Sequence, residues 1–159
     1  MLAVTAAEAA ARALAVPVQQ DGPMGDGTID NWIVDSSVHV VTGSLVLITL
    51  VLALAWVGRL ALTERPVDRV AVVLCVAALV ALMVQALLGI KLLDQGSGFG
   101  QLYIHYLGGL LPVGLLVLAG WMGWQRVGRS AWPLAIVVTA GAGSAMMAFV
   151  IGQAYVDSL

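Results

Sequence analysis

Charge is scarce in this sequence: 10% of its 159 residues are Asp, Glu, Lys or Arg, where soluble domains carry about a quarter. With 61% hydrophobic residues, a soluble domain of this size has too little interior to hide its apolar surface, so lipid has to solvate it. No block of like charge occurs and the net charge is only -2, which argues against a nucleic-acid partner. Cysteine is nearly absent. Cys75 stands alone inside an apolar run, so no intrachain disulfide is available. There is no Walker loop, dinucleotide fingerprint, CxxC or CxxCH, which sets aside soluble-type cofactor chemistry. No Asp or Glu lies deep within an apolar run, so no buried carboxylate relay is expected.

What is present is long apolar runs. Residues 38–62, 70–93, 102–124 and 132–156 each reach the roughly 20 residues that a membrane-spanning helix needs. Each is bounded by charge, Gly or Pro. They are too long and continuous for barrel strands, and in lipid only a helix or a closed barrel satisfies the backbone. The expected fold class is all-α: a transmembrane four-helix bundle, antiparallel, over residues 38–156, preceded by a tail over residues 1–37.

Lys and Arg set the expected orientation. Arg59, Arg65 and Arg69 flank the first connection, and Arg126 and Arg129 occupy the third. The tail, the second connection and the C-terminus hold only Arg12 and Lys91, with seven of the nine acids. Loops 63–69 and 125–131 are therefore expected in the cytoplasm. Both termini are expected on the extracytoplasmic side of a cell inner or plasma membrane, as in a multi-pass protein.

The tail lacks a basic n-region, and Glu8 and Arg12 interrupt its apolar stretch, so it does not read as a signal peptide. Thr5 and Glu8 make a capping box for a short amphipathic helix over residues 5–16, ended by Pro17 and lying on the outer surface. A Gly- and Asp-rich loop follows over residues 19–31. Trp32 and Tyr155 are placed as outer interfacial anchors, Trp124 and Trp132 as inner ones. A weak two-fold pattern runs through the chain, each half being a His-bearing helix, a basic hairpin and a second apolar helix.

The chain has two histidines. His39 lies at the outer end of the first span, and His105 lies one turn inside the outer end of the third. These spans run the same way, so both imidazoles are expected at one depth. Ionisable groups within spans are costly and tend to be functional. Paired imidazoles on two helices are what one bis-His haem requires. Gly43, Gly108 and Gly109 follow the histidines at i+3 or i+4 on the same helix faces, where a flat macrocycle needs backbone close by. Lys91 is the cation placed to meet haem propionates, with Tyr103, Gln101 and Gln153 as hydrogen-bond donors. Gln85, two turns inward of Lys91, is placed to bond a quinone, a haem or a neighbouring helix, the last being the commoner use.

Plainer readings exist for the rest. Gly is common in membrane helices for close packing. Thr42, Ser44 and Thr49 are expected to bond back to their own helix. The small residues Gly141, Gly143, Ser144 and Ala145 favour tight helix contact, and Pro112 is expected to kink the third span.

The segments VHVVTGSLVLITLVLALAWVGRLA, VALMVQALLGIKLL and LYIHYLGGLLPVGLLVLAGWM together resemble one half of the haem A synthase family over roughly residues 34 to 125. In that family a His-bearing helix is followed by a helix ending in a QxxLGG-like motif and then by a second His-bearing helix. Gln85, Leu88 and Gly89 stand in the QxxLG positions, with His39 and His105 as the paired haem-ligating histidines. The resemblance implies an outward-side haem with two axial imidazoles, here taken as one haem b. Ser36 and Val40 stand where the family's oxidising half has a Glu and an Arg. Family members have eight helices in two such halves, and in this chain the helix order is shifted. These departures imply a haem-binding relative rather than a working synthase.

Two functions from different classes follow. One is a b-type cytochrome-like iron protein passing electrons, with a quinol or an outer-side acceptor as partner or within a respiratory membrane complex. The other is a cofactor-free accessory subunit whose partners are membrane proteins or a second copy of itself. A transporter or channel is disfavoured, since no intramembrane charge or broken helix marks a pathway.

Overall fold

The computed structural model describes residues 33–95 and 103–156. They form four helices: α1 (Ser36–Leu62), α2 (Arg69–Asp94), α3 (Tyr103–Trp121) and α4 (Trp132–Val156). Among the described residues there is no strand beyond an isolated bridge between Pro66 and Ser130. Stretches of α1, α2 and α4 (Ser36–Leu62, Arg69–Asp94 and Trp132–Ala154) are long and apolar enough to cross a bilayer, while the apolar part of α3, His105–Trp121, is shorter. The expected helix over residues 5–16, the loop 19–31, Trp32 and Gln101 lie outside the described residues, as do the side chains of Tyr103 and Tyr155.

Aspartates start the first two helices. Asp35 is extended and accepts from the Ser37 N–H at 2.7 Å, so α1 begins two residues before its apolar run. Asp68 caps α2 through the Ala71 N–H at 2.8 Å, and its carboxylate also accepts from the Trp56 indole at 3.0 Å. The cap of α2 is thereby tied to the flank of α1.

The ends of α1 and α3 share one turn geometry. In α1, Glu64 N–H bonds Ala61 O and Arg65 N–H bonds Leu60 O, with Glu64 at φ +54°. In α3, Gly123 N–H bonds Gly120 O and Trp124 N–H bonds Ala119 O, with Gly123 at φ +72°. This pairing of bonds is the Schellman turn, whose left-handed position normally takes Gly. It ends α3 at Trp121 rather than at residue 124. Trp124 then packs half-buried against the core, while Trp121 is 83% exposed and Trp132 50% exposed. Glu64 occupies the same position at a cost to an L-residue of roughly 1–2 kcal/mol.

Each of α1 and α3 packs on both α2 and α4, so the four helices close a ring of interfaces with α1 and α3 on one diagonal. The inward stripes follow the helical period. α1 turns in Gly43, Val46, Leu50, Ala53 and Val57, and α2 turns in Ala71, Cys75, Ala78 and Leu82. Small residues let backbones approach. A Cβ at Gly141 would meet the Pro112 Cβ at 3.3 Å, so α4 nests on the proline as α3 continues helically through it. Outward, Ile48, Val51, Val73, Leu87 and Ile136 are each more than half exposed. Apolar surface on that scale belongs in lipid.

At one end of the ring the connections 63–68 and 122–131 are joined, Val67 N–H to Arg129 O at 2.7 Å and Gly128 N–H to Val67 O at 2.8 Å. At the other end lie the two histidines.

Candidate functional site

His39 sits one turn into α1 behind the Asp35 cap, and His105 sits in the first turn of α3. Their ring centroids are 6.3 Å apart and the ring planes are inclined at 55°. Diagonal helices have thus placed their only imidazoles against one another near one end of the helix ring.

His105 is oriented from α4. Its Nδ1 lies 2.8 Å from the Ala148 carbonyl oxygen. A carbonyl only accepts, so the proton sits on Nδ1 and Nε2 keeps a free lone pair. An N–H to carbonyl bond of this kind is the usual support of a metal-ligating histidine. A Cβ at Gly152 would lie 3.1 Å from the ring's Cε1, so α4 approaches the imidazole closely because residue 152 has no side chain.

His39 is oriented from α2. The Gln85 Nε2 lies 3.0 Å from the His39 carbonyl oxygen and 3.1 Å from its Nε2. The Gln85 Oε1 accepts from the Thr42 hydroxyl. With its carbonyl engaged by Thr42, the amide directs its N–H groups to His39, one to the backbone and one to the ring. Nδ1 of His39 is left buried with no hydrogen-bond partner among the described residues. A Cβ at Gly89 would lie 3.4 Å from His39 Cε1. Outside the span, Asp35 is held below its usual carboxylate value by hydrogen bonds from the Ser37 side chain and backbone.

The pair of imidazoles is the feature that a bis-His haem would use. Metal–imidazole bonds of about 2 Å, with ring radii added, put the centroids of two axial histidines roughly 6 Å apart. The observed 6.3 Å is close to that separation, with the ring planes inclined at 55°. Among the described residues no three His, Cys, Asp or Glu side chains converge. With Nε2 accepting from the Gln85 amide, the His39 proton sits on Nδ1, so iron ligation by His39 would require its ring to release Gln85. Gly89 and Gly152 stand against the imidazole rings themselves.

Known protein families, curated proteins and solved structures offer no match to this chain. The reading of the site rests on its own geometry.

The other residues singled out by sequence are placed as follows. Gln85 joins the site through His39 and Thr42. Gly43 lies beneath it, where a Cβ would meet Gln85 Nε2 at 3.2 Å and the Phe149 ring at 3.5 Å. Gly108 serves the α3–α4 contact, with the Ala148 Cβ and the Ser144 carbonyl each 3.1 Å from a Cβ there. Nothing lies within 4 Å of a Cβ at Gly109. Lys91 is buried and its Nζ pairs with Asp94 Oδ2 at 2.8 Å, one turn along α2. Gln153 is exposed. Sequence reasoning did not reach Gly152 and Ala148. Their signal was the small-residue face of α4, since Gly152 lies three turns beyond Gly141. Gly89 was visible only as part of the QxxLG pattern.

Proposed function

We propose that this chain is an antiparallel four-span membrane protein of b-type cytochrome character, holding one haem between His39 and His105 near the extracytoplasmic face. The observation that carries the reading is the imidazole pair, 6.3 Å apart, with His105 Nδ1 anchored on the Ala148 carbonyl. The arginines of the joined connections favour the cytoplasm for that end by the positive-inside bias, which would set the histidines toward the outer leaflet. The resemblance to one half of the haem A synthase family points to the same pair of residues.

When bound, the haem supplies a one-electron iron couple. The protein's own groups do the rest. Ala148 fixes the His105 tautomer, and Gln85, braced by Thr42, holds α1 at the His39 carbonyl. Gly89 and Gly152 let α2 and α4 stand close to the two rings. Electron transfer with a quinol or an outer-side acceptor, or within a respiratory assembly, is the role this arrangement suits. A second copy of the chain would bring the total to the eight helices of the resembled family.

The test is optical. Detergent-purified protein expressed with ample haem should give a reduced-minus-oxidised spectrum with a Soret band and a sharp α-band. His39→Ala and His105→Ala should each remove the six-coordinate signature. A colourless protein would overturn the proposal.

The second reading is a cofactor-free accessory subunit. Its supporting observation is that each imidazole already bonds a neighbouring helix, His39 to α2 and His105 to α4. On that reading the histidines are interhelical ties, and a membrane complex containing the chain would still assemble when both are replaced.

A further inference from the structure

At the end remote from the histidines, the joined connections leave a hollow of about 330 Å3 between the end of α1 and the start of α4. Its floor is apolar, Ala61 and Ala131 each being 2% exposed. Its rim carries Glu64, Arg65, Ser130 and the half-exposed Trp132. Here two helices leave the apolar zone, which is the level of lipid headgroups, and a half-exposed indole is characteristic of that level.

The rim holds one positive and one negative side chain, adjacent in sequence and open to the same hollow. Among the described residues neither forms an ion pair, the one salt bridge being Lys91 with Asp94 at the opposite end. Glu64 also occupies the left-handed position of its turn, at φ +54°, where the matching turn of α3 has Gly123.

A ligand suited to this rim has an anionic and a cationic group a few bonds apart and an apolar body. Guanidinium and hydroxyl groups are phosphate donors. A carboxylate without a partner suits an ammonium with N–H donors. Leu62 of α1 and Ile136 of α4 are exposed apolar residues. We propose that the hollow binds the headgroup of a phospholipid bearing both a phosphate and a primary ammonium, the ethanolamine class, with Arg65 and Ser130 on the phosphate and Glu64 on the ammonium. A choline headgroup lacks the N–H donors, and a glycerol headgroup lacks the cation. The assignment needs the chain to lie in a bilayer but does not depend on the haem.

Native mass spectrometry of the full chain in detergent tests it, with phosphatidylethanolamine, phosphatidylcholine and phosphatidylglycerol of identical acyl chains supplied at equal concentration. The ethanolamine lipid should be retained about fivefold over the choline lipid, the scale of one hydrogen bond. Glu64→Gln should abolish that preference. Arg65→Gln should weaken retention of all three lipids. Glu64→Gly relieves the backbone and should raise thermal stability while losing the preference, which separates lipid recognition from folding. Soluble phosphoethanolamine in large excess should not displace the lipid. Displacement by it would make the occupant a free phosphate compound and overturn the lipid assignment. Equal retention of ethanolamine and choline lipids, or strongest retention of phosphatidylglycerol, would overturn the role of Glu64.

Discussion

A Cβ placed on Gly152 would stand 3.1 Å from His105 Cε1 and 3.2 Å from its Nδ1, the nitrogen that holds the Ala148 carbonyl. The backbone of α4 therefore acts as one wall of the imidazole. Gly152→Ala should push the ring off its anchor and destabilise the protein by about 1–3 kcal/mol, as overpacking does. Gly109→Ala is the control, since nothing lies within 4 Å of a Cβ there. It should be neutral or stabilising by up to about 1 kcal/mol from helix propensity alone. Thermal unfolding of both variants in the same detergent checks the pair.

Gln95 grips the segment that enters α1. Its Oε1 accepts from the Val34 N–H at 2.7 Å and its Nε2 donates to the Val34 carbonyl at 2.9 Å, both bonds buried. A side-chain amide here substitutes for a strand partner. Gln95→Leu should leave two buried backbone groups unsatisfied and cost about 1–3 kcal/mol. Hydrogen exchange at the Val34 amide should accelerate in the variant while the amides in the middle of α1 keep their protection.

Acid should loosen the other end. The Asp68 carboxyl is held below its usual 3.8, chiefly by the Ala71 N–H and also by the Trp56 indole. A carboxyl depressed on folding contributes stability above its unfolded value, and that contribution disappears as pH falls through the depressed folded value. Stability should thus decline as pH drops below about 4. Asp68→Asn still caps the helix but cannot titrate, so it should reduce the slope. Asp35, depressed in the same direction, keeps its own share of the slope. Asp68→Ala should cost about 1 kcal/mol at neutral pH as well. Unfolding midpoints measured across this pH range decide the matter.

The helices were legible because their cause is local. Apolar runs between charges and turn residues give segments within three residues of those observed. The discrepancies arise where a polar side chain or a glycine sets the end: Asp35 extends α1 backward, and Gly123 stops α3 at Trp121. The site was half legible. The histidines stood out because imidazoles are rare in apolar runs, and Gln85 stood out because an amide there needs a partner. Which glycines face the rings was not legible. That depends on how α2 and α4 rotate about their axes, and apolar surface all round a helix leaves no sequence record of rotation. Gly108 and Gly109 share a helix face with His105, yet Gly108 packs on α4, and the glycines against the rings belong to other helices. Lys91 likewise looked free for a propionate, while its Asp94 partner lies one turn away on the same helix.

The central claim is that His39 and His105 together hold one haem, and haem stoichiometry measures it most directly. A pyridine haemochrome assay on protein purified from haem-supplied cells should give about one haem b per chain, falling to a small fraction in His39→Ala and in His105→Ala while both variants keep wild-type helicity. A chain that purifies folded and without haem, or one whose haem content survives loss of either histidine, would contradict the account.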